Sequence, residues 1–321
     1  MRWVALWLVA GVAAVTAGEI KRRELVTYSP DVNGRRWAAA RVTAAEQPGR
    51  SGRISSIESI NGRRVPVESV EEQVVSEKTG ERIIEIVTRR YDPTGNPVQI
   101  EKIRREERTG PGGERMERTW IERSDLNGRL QPVERSVSRT RRQGARLITE
   151  TEVERPSASG GFAVAERRVA AETLRHDGAE REVTVEEMGL SGPRLVARQT
   201  AEIRRQGGVE TERTRFYETA ATGRLEPVGE KHVKRERRTD GTELALVSLY
   251  GIAAPGRPAE SGRLFLREQQ RIERFAGPRG ERIERVSLRR PSLAGQRLGP
   301  FEPASETVCT GDCDEPPRPA P

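Results

Sequence analysis

Apolar residues in this chain fall in short runs broken by charge, with no long helical stripe. Arg82-Ile-Ile-Glu-Ile-Val-Thr88, Arg146-Leu-Ile-Thr-Glu-Thr-Glu-Val153 and Glu182-Val-Thr-Val185 are rich in β-branched residues, which suit a pleated sheet better than a helix. Val67-Glu-Ser-Val70 with Val74, and Ile272-Glu-Arg-Phe275, fit helical spacing equally well. Turn chemistry favours strands. Asn33-Gly34, Asn61-Gly62, Asn127-Gly128, Asp177-Gly178 and Asp240-Gly241 are dipeptides that accept positive φ in tight hairpins.

The glycines belong to a repeat of about 32 residues in two interleaved registers. After Gly34, one register holds Gly62, Gly95, Gly128, Gly160, Gly192, Gly223 and Gly262, at steps of 33, 33, 32, 32, 31 and 39. The other holds Gly80, Gly113, Gly144, Gly178, Gly208, Gly241 and Gly280. Each interval of roughly 16 residues, less a turn, leaves a segment of about 12 residues, or ~40 Å if extended. Both registers share the 39-residue step, which locates an insertion at Gly251 to Glu260 with Pro255 and Pro258. At the front, the 18-residue step from Gly34 to Gly52 is followed by one of only 10 to Gly62, so the first unit reads as a degenerate cap. Pro66, Pro132 and Pro227 each follow their glycine by four residues; in a sheet they belong at a strand's first residue or at a bulge. The apolar segment Leu244 to Tyr250 is the best candidate for a continuous local core.

These features predict an all-β chain: an elongated antiparallel meander of about 16 strands in tandem hairpins, forming a twisted open sheet or a shallow sandwich. A membrane barrel is disfavoured, because Val133-Glu-Arg-Ser-Val-Ser-Arg-Thr-Arg-Arg142 carries charge on both faces. Opposite charges across hairpins, such as the basic arm Val137 to Arg142 against the acidic arm Thr149 to Glu154, select which arms pair.

The ends differ from the repeat. Arg2, the apolar run Trp3 to Val15 and the small residues Val15-Thr16-Ala17 read as a signal peptide over residues 1–17. The expected order is then a lead-in at 18–33, repeats at 34–300 and a Pro-rich tail at 301–321, and the mature chain is expected to be exported, periplasmic or extracellular. Cleavage leaves 56 Lys+Arg against 49 Asp+Glu, a net charge of +7. In that setting Cys309 and Cys313 are a candidate local disulfide.

No residue constellation declares a chemistry. His176 and His232 lie nearly two repeats apart and read as exposed, no serine sits in a nucleophile motif, and no glycine turn has a phosphate-loop ending. Tyr91-Asp-Pro-Thr-Gly95 resembles one copy of the motif in YD-repeat (Rhs-type) proteins, whose repeats also form extended β structure. The likeness covers five residues, and no activity follows from it. The sequence therefore predicts a non-catalytic, cofactor-free structural or interaction module of the cell envelope or exterior, partnered by protein or an anionic envelope polymer. The alternative is a binder of anionic polymers or lipid headgroups, with Arg139, Arg141, Arg142, Lys234, Arg235, Arg237 and Arg238 as contacts. Nucleic acid is disfavoured by the shortage of stacking aromatics.

Overall fold

A computed structural model describes residues 20–30, 36–58, 63–189, 192–252, 264–291 and 298–313. The residues read as a signal peptide, Gly34, Gly62, Gly262, most of the 251–260 insertion and the last eight residues lie outside that set. The first six strands are β1 (Lys21–Pro30), β2 (Arg36–Gln47), β3 (Arg50–Glu58), β4 (Arg64–Lys78), β5 (Glu81–Tyr91) and β6 (Pro97–Thr109). Next come β7 (Arg115–Ser124), β8 (Leu130–Gln143), β9 (Arg146–Pro156), β10 (Phe162–Arg175), β11 (Gly178–Gly189) and β12 (Gly192–Gln206). The last are β13 (Val209–Thr219), β14 (Leu225–Arg237), β15 (Glu243–Gly251), β16 (Phe265–Ala276), β17 (Arg282–Arg289) and β18 (Glu302–Gly311). The segments read as lead-in and tail thus supply β1 and β18.

Each strand pairs antiparallel with the next, and β18 returns to β1 from Arg23 opposite Gly311 to Tyr28 opposite Glu306. The all-β hairpin meander is present, but it is a closed barrel of 18 strands, neither an open sheet nor a sandwich. Following paired residues once around the wall displaces the path by roughly 20 residues along the strands, which corresponds to a tilt near 40° and a backbone radius of about 16 Å. A barrel that wide is not filled by its own side chains, and no described segment crosses the lumen.

The two glycine registers are the two rims. Gly80, Gly113, Gly144, Gly178, Gly208, Gly241 and Gly280 lie at the rim where the described chain starts and ends, and Gly95, Gly128, Gly160, Gly192 and Gly223 at the distal rim. One period is two strands and two turns. The first unit is regular at the terminal rim, contrary to the cap reading: its turn is at Gly49, with φ 74°, while Gly52 lies inside β3. Gly178 is needed for a different reason from its neighbours. Its φ is not in the left-handed region, but a Cβ there would overlap the Ile203 carbonyl oxygen on β12.

Closure has a local cause. Every even-numbered strand carries one unpaired extra residue a few positions in from the distal rim: Ala39, Val67, Val98, Val133, Ala165, Val196, Val228, Arg267 and Ala304. Pro66, Pro97, Pro132, Pro227 and Pro303 stand immediately before five of them. Proline has no N–H for the ladder, so it favours a bulge at that level, and each bulge bends its strand and sharpens the right-handed twist. Nine such bends at one level curl the meander until its edges meet. All four tyrosines, Tyr28, Tyr91, Tyr217 and Tyr250, pair with the residue just before a bulge, opposite Ala38, Pro97, Pro227 and Leu266.

Alternation along the strands gives the wall two faces. Ile84, Ile86 and Ile103 are 2%, 5% and 5% exposed and pack with Val70 and Ile121. Side chains converge on the concave side of a closed wall and splay on the convex side, so this shielded face is the lumen face. The Nε atoms of Arg82 and Arg105, on the same face, are buried without a hydrogen-bond partner. Burial of these Nε atoms places the arginine stems against the lumen face of the wall, as long cationic side chains lie along apolar surfaces. A wall one layer thick thereby shields its isoleucines with its own arginines. Leu244 to Tyr250 is not the core: in β15 only Ser248 and Gly251 are buried, because alternation sends Leu244 and Leu246 outward and Ala245, Val247 and Leu249 inward.

Candidate anionic-ligand surface

Cross-strand ion pairs line both faces. On the lumen face Arg123 meets Glu101 at 2.6 Å, and Arg235 meets Glu210 and Glu212 at 2.6 and 3.3 Å. On the outer face Arg89 meets Glu71 at 3.1 Å, Arg198 meets Glu182 at 2.7 Å and Arg285 meets Glu306 at 2.7 Å. Most of these arms are half exposed, so each contributes little to stability, on the order of 0–1 kcal/mol. Their collective effect is to fix strand register and neutralise the wall.

The strongest charge cluster is on the outer face at Glu230, whose side chain is only 12% exposed. Arg213 grips its carboxylate with two nitrogens at 2.9–3.1 Å, Arg215 Nε donates at 3.0 Å and His232 Nε2 stands 2.8 Å away. Burial alone would raise the Glu230 pKa, but the hydrogen bonds from His232 and Arg213 and the charges of Arg213 and Arg215 hold it below the usual carboxylate value. Tyr250 packs against His232 with ring centroids 4.8 Å apart. His232 is therefore tied into a structural network. Glu210 is likewise lowered, first by its hydrogen bond from Arg205 and then by Arg235.

The barrel divides the arginines and lysine singled out in the sequence. Arg139, Arg141 and Lys234 project outward, Arg142, Arg235 and Arg237 toward the lumen, and Arg238 sits in the β14–β15 turn. They do not form one site. Arg141 is held by Glu150 at 3.0 Å and Lys234 lies 4.0 Å from Glu236; Arg139, in register opposite that same Glu150, has no carboxylate within ion-pair distance among the described residues. Sequence reasoning missed what β7 brings beside this arm, namely Met116 opposite Arg139, Arg118 opposite Val137 and Trp120 opposite Arg135. Register through the Asn127-Gly128 turn was the signal that could have found them.

A shallow depression of about 270 Å³ opens on the outer wall over β9 to β13, floored by Ala171, Thr173 and Thr200 and rimmed by Arg146, Glu182, Arg213 and Arg215. Charges of both signs surround it, and most are engaged with residues outside it, Glu182 with Arg198, and Arg213 and Arg215 with Glu230. Among the described residues no three His, Cys, Asp or Glu side chains are grouped to hold a metal ion. Cys309 and Cys313 are placed for a disulfide, with Cα atoms 6.0 Å apart, at the terminal rim. No protein-family model and no curated protein matches this chain.

Proposed function

We propose that this chain is an exported, non-catalytic β-barrel that acts as a structural or interaction module of the cell envelope or exterior. The observation that carries the reading is the charge pairing on both faces of a closed wall at mid-height. A barrel facing lipid would present an apolar band, and each Arg or Lys at the bilayer midplane costs about 2–4 kcal/mol. This wall instead projects Lys102, Arg104, Arg118, Arg139, Arg198 and Arg213 outward. Such a surface suits water on both sides, and closure leaves no free strand edge for aggregation.

Fractionation of cells expressing the full chain tests the reading. The expected result is a product lacking residues 1–17 in the periplasmic or extracellular fraction. Recovery in the cytosol with those residues retained would overturn it. A second reading, binding of an anionic polymer, is supported by outward arginines such as Arg139, whose carboxylate in register, Glu150, is engaged by Arg141.

A further inference from the structure

On the outer wall three neighbouring arginines stand outside the ion pairs. Arg118 on β7 and Arg135 and Arg139 on β8 are exposed and, among the described residues, have no carboxylate within ion-pair distance: Glu106 and Glu150, in register opposite Arg118 and Arg139, are engaged by Arg104 and Arg141, and Glu154 stands opposite Arg135 without an ion pair. Arg146, at the start of β9, is a fourth such residue beyond the Arg141–Glu150 pair. Nearby outward arms are neutralised: Lys102 by Glu85, Arg108 by Glu81, Arg141 by Glu150 and Arg167 by Glu152. Trp120 sits beside the three arginines, half-buried, with Arg104 and Arg135 as its two cross-strand partners. The Arg135 guanidinium is stacked 4.0 Å above the Phe162 ring, which holds that arm against the wall.

We propose that this stripe binds an extended acidic polysaccharide, a glycan chain bearing carboxylate or sulfate groups. The proposal deepens the anionic-polymer reading by giving the surface and the class of ligand, and it does not depend on where the chain is delivered. Arg135 to Arg139 spans about 14 Å along β8 at ~3.4 Å per residue, enough for a short run of sugar units laid along the strand. Guanidinium forks match carboxylate and sulfate oxygens with paired hydrogen bonds, and an indole offers an apolar face for a sugar ring. Width selects the ligand. Outward Glu81 and Glu85 on β5, and Glu150 and Glu152 on β9, flank the stripe as members of ion pairs, so a flat anionic bilayer would meet neutralised wall on either side of a narrow cationic strip. A single tryptophan is a poor platform for successive stacked bases, which disfavours single-stranded nucleic acid.

The test uses the purified mature chain with a heparin octasaccharide, an alginate octasaccharide, vesicles containing phosphatidylglycerol and a single-stranded oligonucleotide, at two salt concentrations. The expected result is binding of at least one oligosaccharide in preference to vesicles and oligonucleotide. The double variant Arg118→Gln/Arg139→Gln should weaken it at least tenfold, and Trp120→Leu at least threefold with no change in charge. Arg198→Gln/Arg285→Gln, which removes the same charge from paired positions, should stay within twofold of the parent. Far-UV circular dichroism confirms that each variant is folded. Equal losses in the two double variants would reduce binding to net charge and overturn the proposal. So would preference for vesicles or oligonucleotide, or no binding to either oligosaccharide; none of these outcomes bears on export.

Discussion

Replacing Ile103 by alanine separates a one-layer wall from a packed core. Ile103 is 5% exposed and lies between Ile86 and Ile121 in one row of the lumen face. The change removes three carbons, which at ~0.8 kcal/mol per buried CH₂ is about 2.4 kcal/mol of lost burial. In a two-layer core the void would add to this, taking the cost toward ~5 kcal/mol. Here the site borders an open lumen, and the arms of Arg82 and Arg105 can settle into the gap, so the cost should stay near 2 kcal/mol. Ile54, 49% exposed on the outer face, gives the contrast, and Ile54→Ala should cost under about 1 kcal/mol. Urea unfolding followed by tryptophan fluorescence measures both, provided the slope is unchanged. A loss above ~4 kcal/mol for Ile103→Ala would mean that packed material fills the lumen. A loss equal to that of Ile54→Ala would mean that the isoleucine face is not shielded.

The folded pKa of Glu230 is lowered from the ordinary 4.5, so its contribution is present above that pH and is lost as pH falls through the folded value. Glu230→Gln should accordingly cost about 1 kcal/mol at pH 7, discounted for the half-exposed arginines, and progressively less as the pH falls through the folded value; urea midpoints showing a cost that does not shrink on acidification would contradict this. Deleting Val133 removes a bulge while leaving Leu130 to Pro132 opposite the same β7 residues, so the wall loses one of its nine bends without a change of register. Size-exclusion chromatography should then show a broadened or oligomeric species, and an unchanged monomer would argue that this bulge does not help to close the wall. Joint replacement of Cys309 and Cys313 by serine opens only a short loop and should lower stability by about 2 kcal/mol at most, as seen in thermal melts with and without reductant. Complete unfolding of the serine variant would show that the link anchors far more than β18.

Strand positions and the described turns were legible because dipeptides such as Asn127-Gly128 and Asp240-Gly241 act locally, with their glycines at positive φ, although Asp177-Gly178 places its glycine in β11 instead. Closure was written just as locally, in Pro66-Val67, Pro97-Val98, Pro132-Val133 and Pro227-Val228, but its effect appears only when nine small bends are summed around a sheet. The spacing of Pro66, Pro132 and Pro227 suggested a bulge without revealing its curvature. The core was misjudged at Leu244 to Tyr250 because a run of apolar residues implies a buried segment only when both sides of the sheet are covered. The outer arginine stripe was half legible. Arg139 stood out within a basic arm, whereas Arg118 and Trp120 join it through pairing of β7 with β8, which a one-dimensional list of charges does not express.

The seam between β1 and β18 gives the barrel a mechanical polarity. It is held over six residue pairs, against ten between β1 and β2, and both strands run out at the same rim. Force applied between the chain ends would therefore load the seam rung by rung, as in a zipper, with no shearing of many hydrogen bonds at once. Once parted, the wall has two free edges, and each hairpin peeled away releases about 32 residues, or ~110 Å of contour length. Stretching a single molecule should give a train of low, evenly spaced force peaks, and a single high peak would mean that the wall resists as one body.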